Sequence, residues 1–143
     1  MPSNRFWQAN AGRAFVGRLE LGSDLVGEIE RFCAERGITA AQVTVIGALR
    51  RARYAYYEQD DHRYVELESD THHEVVGFTG NVSLRNDRPF LHAHATFADA
   101  TGQTVGGHLL TGCEVFAAEV MIRELADVSL VRMPDEATGL ALW

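Results

Sequence analysis

The spacing of apolar residues changes once along this chain, close to residue 41. Before that point it has a helical period. Leu25, Ile29, Phe32 and Cys33 recur at i, i+4, i+7 and i+8, one stripe of an amphipathic helix. Glu28, Glu30, Arg31, Glu35 and Arg36 fill the polar side. Ser23 or Asp24 is placed to cap its start, and Gly37 to end it in a left-handed turn. Ahead of the helix, residues 13–21 alternate well enough for a first strand.

From Ala41 onward the pattern is period two, with β-branched runs. It predicts strands over residues 42–49, 51–59, 62–69, 73–84, 90–98, 104–110, 114–122 and 127–133. Asp60-Asp61 and residues 85–89 supply turns. Gly47, inside an apolar strand, marks a bulge or a close backbone approach. On 114–122, strict alternation sets Val115, Ala117, Glu119 and Met121 against Phe116, Ala118, Val120 and Ile122. One helix followed by strands indicates an α+β fold: a mainly antiparallel sheet of about seven or eight strands with one principal helix. Residues 1–11 read as a loose arm, 12–133 as the domain, and 134–143 as a tail packing on the domain or on a neighbouring subunit.

The hairpin over residues 90–110 carries the candidate chemistry. Three of the chain's six histidines lie in it. His92 and His94 are two apart, so on a strand they share a face. An odd-numbered loop, such as residues 99–103, brings His108 opposite or nearly opposite His94; an even one sends it to the other face. Ala93, Ala95, Gly106 and Gly107 leave room around the rings. Three converging imidazoles make a first-row metal site, Zn²⁺ or another divalent ion, with a fourth position open to water or substrate. A carboxylate is needed to move protons or orient a ring, and Glu74, on a neighbouring strand, is the first candidate; a buried ion pair is its structural alternative. His62, His72 and His73 read as surface or subunit-contact residues. Cys33 and Cys113 read as buried thiols, with Cys113 as an alternative fourth ligand.

At 143 residues the chain is the size of one domain, and it has no apolar run of the ~20 residues a membrane span needs. Its opening residues lack a secretory core, so a cytoplasmic location is expected. The formal charge of −7 argues against sequence-independent nucleic-acid binding, and Arg50, Arg51 and Arg53 are the one basic run.

Val45-Ile46-Gly47-Ala48-Leu49, Tyr56-Tyr57, Glu74-Val75-Val76 with Gly80-Asn81, His92-Ala93-His94-Ala95, Val105-Gly106-Gly107-His108-Leu109 and Ala118-Glu119-Val120 follow one another in an order that resembles the PPC domain of plants and prokaryotes. Phe78 stands where a leucine is expected. The resemblance implies a homotrimer, and in prokaryotic members that keep the histidines a bound metal, usually zinc. Plant relatives carry AT-hooks that bind DNA; this chain has no Arg-Gly-Arg-Pro hook. The fold expected is also similar to that of acetolactate decarboxylase, an analogy of fold alone. Three readings follow: a stand-alone trimeric metal-binding protein, a zinc-dependent decarboxylase or hydrolase of a small oxo- or hydroxy-acid, and a DNA-associated protein. The partners implied are further copies of the chain and a small molecule at the metal, without nucleic acid or membrane.

Overall fold

A computed structural model describes residues 4–143. The elements run β1 (Asn10–Leu19), α1 (Leu25–Arg36), β2 (Ala41–Glu58), β3 (Arg63–Ser69), β4 (His73–Arg85), β5 (Arg88–Ala98), β6 (Thr104–Leu109), β7 (Glu114–Ala126), β8 (Met133–Pro134) and β9 (Ala141–Leu142). Seven strands form one antiparallel sheet in the order β1-β7-β2-β4-β5-β6, with β3 also on β2. This is the α+β architecture expected. No helix among the described residues is long and apolar enough to cross a membrane.

The helix forms where its stripe predicts. Asp24 is the N-cap: its carboxylate accepts from the Gly27 N–H at 2.8 Å and from the Gly112 N–H at 2.6 Å, fastening the helix start to the loop before β7. Gly37 ends the helix at φ 66°. Leu25, Val26, Ile29 and Cys33 are buried in the common core with Val43, Val82, Leu91, Phe97 and Val115. Glu30 ties the helix to the sheet by accepting from the Leu91 N–H at 2.9 Å, and its burial raises the carboxyl pKa.

The two strands expected over 42–49 and 51–59 are one. β2 is 18 residues long and serves two sets of neighbours: its first half pairs with β7 and β4, its second with β3 and β6. No turn residue separates the halves, so the chain bends without breaking. The bend comes with irregular pairing: Ala48↔Ala117 is followed by Leu49↔Val115, then by Arg51↔Glu114. Phe116 is left over on β7 and Arg50 on β2. That extra residue overturns strict alternation on β7. Val115, Ala118, Val120 and Ile122 are buried, while Phe116, Ala117, Glu119 and Met121 face outward.

Other boundaries also move. β1 begins at Asn10, inside the expected arm, whose first three residues lie outside the described ones. Residues 127–132 are not a regular strand. Asp127 turns at φ 59°, and the segment then touches β4 through one parallel bridge, Leu84↔Val131. The Leu84 N–H donates to Leu130 O, and the Arg132 N–H donates to Leu84 O. The last ten residues fold back on the chain's own body. Tyr57 Oη donates to the Thr138 carbonyl at 2.7 Å, and Trp143 packs edge-on against Trp7 at 5.7 Å.

Gly47 is a point of close approach: a Cβ there would sit 2.2 Å from Ala117 O. Gly17, by contrast, faces open space. Gly47→Ala is expected to cost about 1–3 kcal/mol in urea unfolding through overpacking, whereas Gly17→Ala stays within about 0.5 kcal/mol. Equal effects of the two substitutions would contradict the packing described for β2 and β7.

Candidate metal centre

The β5–β6 hairpin closes on a five-residue loop, since Ala98 pairs with Thr104. Asp99 organises that loop. Its Oδ1 accepts from the Thr101 N–H at 2.8 Å, the Thr101 hydroxyl at 2.7 Å and the Gln103 N–H at 3.1 Å, and these hydrogen bonds hold its pKa down. The odd loop sets the register: His94 lies directly opposite His108. On β5, Leu91, Ala93, Ala95 and Phe97 are buried in the core, so His92 and His94 take the opposite face.

A second pairing brings in His108 from the other side, where it is opposite Ala55 of β2. β6 is thus held between β5 and β2, and β2-β4-β5-β6 closes on itself. The paired glycines allow this. A Cβ on Gly106 would lie 2.3 Å from Ala95 O, and one on Gly107 would lie 2.6 Å from Ala55 O.

The three imidazoles meet. His92, His94 and His108 each offer a ring nitrogen, all within 4.8 Å of one another. Ring centroids are 5.1 Å apart for His92–His94 and His92–His108, and 5.6 Å for His94–His108. His92 Nε2 and His94 Nε2 are 3.3 Å apart. Zinc–nitrogen bonds in a tetrahedral site put neighbouring nitrogens about 3.3–3.4 Å apart, so this pair already has the required spacing. The donors also carry the right charge. Burial first, then the nearby Arg132 and His94, push His92 below the ordinary histidine range to about 4. Burial, His92, His94, Arg132 and Arg85 do the same for His108, also to about 4. Both rings are neutral at pH 7, the form a cation requires. The residues present fit a divalent metal, and the three histidines could hold one.

Around them stand residues that spacing did not single out. Arg132, only 8% exposed, donates from Nε to Ser83 Oγ at 2.7 Å, from Nη1 to the Ala141 carbonyl at 2.9 Å and from Nη2 to Asn81 Oδ1 at 3.1 Å. The same Nη2 is 3.4 Å from His92 Nδ1. That distance is long for a hydrogen bond. Burial lowers the Arg132 pKa, as does the charge of Arg85. Tyr64 lies over His108 at 4.8 Å, and burial raises its phenol pKa.

Glu74 is not among the residues that meet here. It is exposed and lies opposite Ala98, on the far side of the irregularity between Val75 and Gly77, whereas Thr79 and Asn81 are the β4 residues opposite His94 and His92. It stands on the adjacent strand, but its position along that strand keeps it out of the cluster. Cys113 is equally remote: its Sγ accepts from the Arg53 N–H at 3.2 Å, and burial raises the thiol to about 11. His73 is 6% exposed rather than on the surface, with Nδ1 2.8 Å from the Thr71 carbonyl.

Because His92 and His108 are held neutral, the metal-free protein binds fewer protons folded than unfolded below the ordinary histidine pKa. Its stability should be fully present above about pH 6.5 and fall as pH drops through about 4. Thermal unfolding of the metal-free protein against pH measures this, and His108→Gln should flatten the slope. A flat profile in the wild type would contradict the burial described.

The family model for the Plants and Prokaryotes Conserved domain matches residues 7–126. A metal-containing protein from Archaeoglobus fulgidus is 40% identical, with a TM-score of 0.93 and coverage of 97% of this chain and 98% of that one. A plant- and prokaryote-conserved protein from Pyrococcus horikoshii is 33% identical, with a TM-score of 0.92 and coverage of 97% and 96%. A bifunctional GlmU protein from a Synechococcus species is 36% identical over 125 residues, which are 85% of this chain but 18% of that protein. The chain therefore spans about a fifth of the length of the curated relatives it matches. With the model covering most of the sequence and the histidine hairpin inside the match, the chain belongs to the Plants and Prokaryotes Conserved domain family.

Proposed function

We propose that this chain is a metal-binding member of its family, in which His92, His94 and His108 hold one divalent first-row ion, with zinc the leading choice. The observation that carries the reading is the convergence of three ring nitrogens within 4.8 Å. Imidazole donors suit zinc, copper, iron and nickel, and three donors leave a position for an exogenous ligand. The printed description of the Archaeoglobus relative as metal-containing supports the reading. A bound ion of this kind supplies Lewis acidity and an acidic water. The chain's own part is to keep the rings neutral and to fix their spacing. Arg132 and Tyr64 wall the site, and no carboxylate joins the cluster among the described residues.

His94→Ala should reduce metal content from about one ion per chain to background. Elemental analysis of both proteins decides it, with circular dichroism to establish that the variant is folded. Unchanged metal in a folded variant would overturn the assignment.

We also propose that the chain assembles as a homotrimer through the outer face of β1, β7 and β2. Val16, Thr44 and Met121 lie side by side on that face, next to Arg18, Ile46 and Glu119. Val16 is 80% and Ile46 72% exposed, an apolar stretch that favours a partner. Light scattering coupled to gel filtration should give three times the chain mass, and Ile46→Asp should reduce it to one. A monomeric wild type would end this reading without touching the metal assignment.

A further inference from the structure

We infer that the metal centre takes a small organic carboxylate as its exogenous ligand, with Arg85 as the side chain that closes on the anion. The inference rests on the metal reading above and goes further, naming the ligand class and the residue that selects it.

The argument starts from charge placement. Arg132 stands 3.4 Å from His92, and its other partners are all neutral: a hydroxyl, an amide oxygen and a backbone carbonyl. Four of its five N–H groups are turned to these partners, so what it supplies is mainly a fixed positive field. Arg85 is different. It is exposed and makes no ion pair among the described residues. Its guanidinium lies 5.1 Å from the centre of the Phe90 ring, and that of Arg132 lies 5.5 Å from the same centre. Two like charges thus share one aromatic ring beside a site built for a dication.

The chain does not lack carboxylates for neutralising such a pair, since its formal charge is −7. Elsewhere it uses them: Arg13 meets Glu124, Arg31 meets Glu28 and Glu35, and Arg51 and Arg53 meet Glu66, Glu68 and Asp70. At the histidine cluster the negative partner is left to be supplied from outside. A metal ion there adds two more positive charges, which makes an incoming anion more favourable still.

Geometry gives the anion its type. Asn81, Ser83 and Arg85 alternate along β4 on the face shared with Phe90, His92 and His94 of β5, to which they are paired at Asn81↔His92, Ser83↔Phe90 and Arg85↔Arg88. Arg85 therefore sits at the turn end of that face, and the exposed His94 lies farther along it, opposite Thr79. The walls are aromatic, with Phe90 on one side and Tyr64 over His108 on the other. A carboxylate head on a short carbon body fits such walls, and its two oxygens can face a cation and a guanidinium together.

The test uses the full chain loaded with Co²⁺ and titrated with lactate, followed by the visible ligand-field spectrum. Wild type should show a saturable change, and Arg85→Ala should bind lactate about tenfold more weakly while retaining its cobalt. Equal affinity in the two proteins would overturn the role of Arg85. Retained cobalt with no response to lactate, or a response that sodium chloride of equal ionic strength reproduces, would overturn the ligand class and leave the metal reading intact. Failure of wild type to retain cobalt would remove the metal reading and this inference with it.

Discussion

The wedge of β6 between β5 and β2 is the constraint on which the rest of this structure depends. Without it the sheet would be an open ribbon, and His108 would have no fixed relation to His92 and His94. Its cause is two missing side chains. Gly106 lets β6 approach Ala95 of β5, and Gly107 lets it approach Ala55 of β2. The same closeness that seals the circuit of strands sets three rings within reach of one ion. Fold and site are thus one construction rather than a scaffold with a site added to it.

Electrostatics then separates two halves of the molecule's polar chemistry. Over β2 and β3, arginines and carboxylates pair at the surface, where such pairs contribute little and are screened by salt. Around the histidines, Arg85 and Arg132 have no acidic partner among the described residues. Ring burial keeps His92 and His108 neutral, and Arg132 adds to the same effect from behind. Histidine ligands in metal sites usually donate their second nitrogen to a carboxylate or carbonyl. Here the group behind His92 is a cation, which makes this an electron-poor site.

Much of this was legible in the sequence. The helix was announced by its stripe and both caps. The histidine register hung on the parity of the loop, which the sequence left open between odd and even; the five-residue turn preserves the face because strand periodicity is strict. What could not be read was whatever depended on an extra residue or a distant segment. The bulge at Phe116 on β7 makes Val115 and Phe116 exchange sets, and nothing in local alternation shows where a bulge will fall. Arg132 lies 24 residues beyond His108 in sequence, in a stretch whose apolar pattern suggests a strand; its burial depends on Ser83, Asn81 and Ala141 reaching it from elsewhere. Glu74 had the right strand and the wrong position along it, a distinction that only register can make.

Trp7 and Trp143 rest edge to face, so the segments that carry them meet at one place on the body of the molecule. Because the Ala141 carbonyl holds Arg132, and Arg132 stands behind His92, tension on the final residues would be felt at the imidazoles. Attachment through the carboxyl end would therefore be mechanically linked to the cluster.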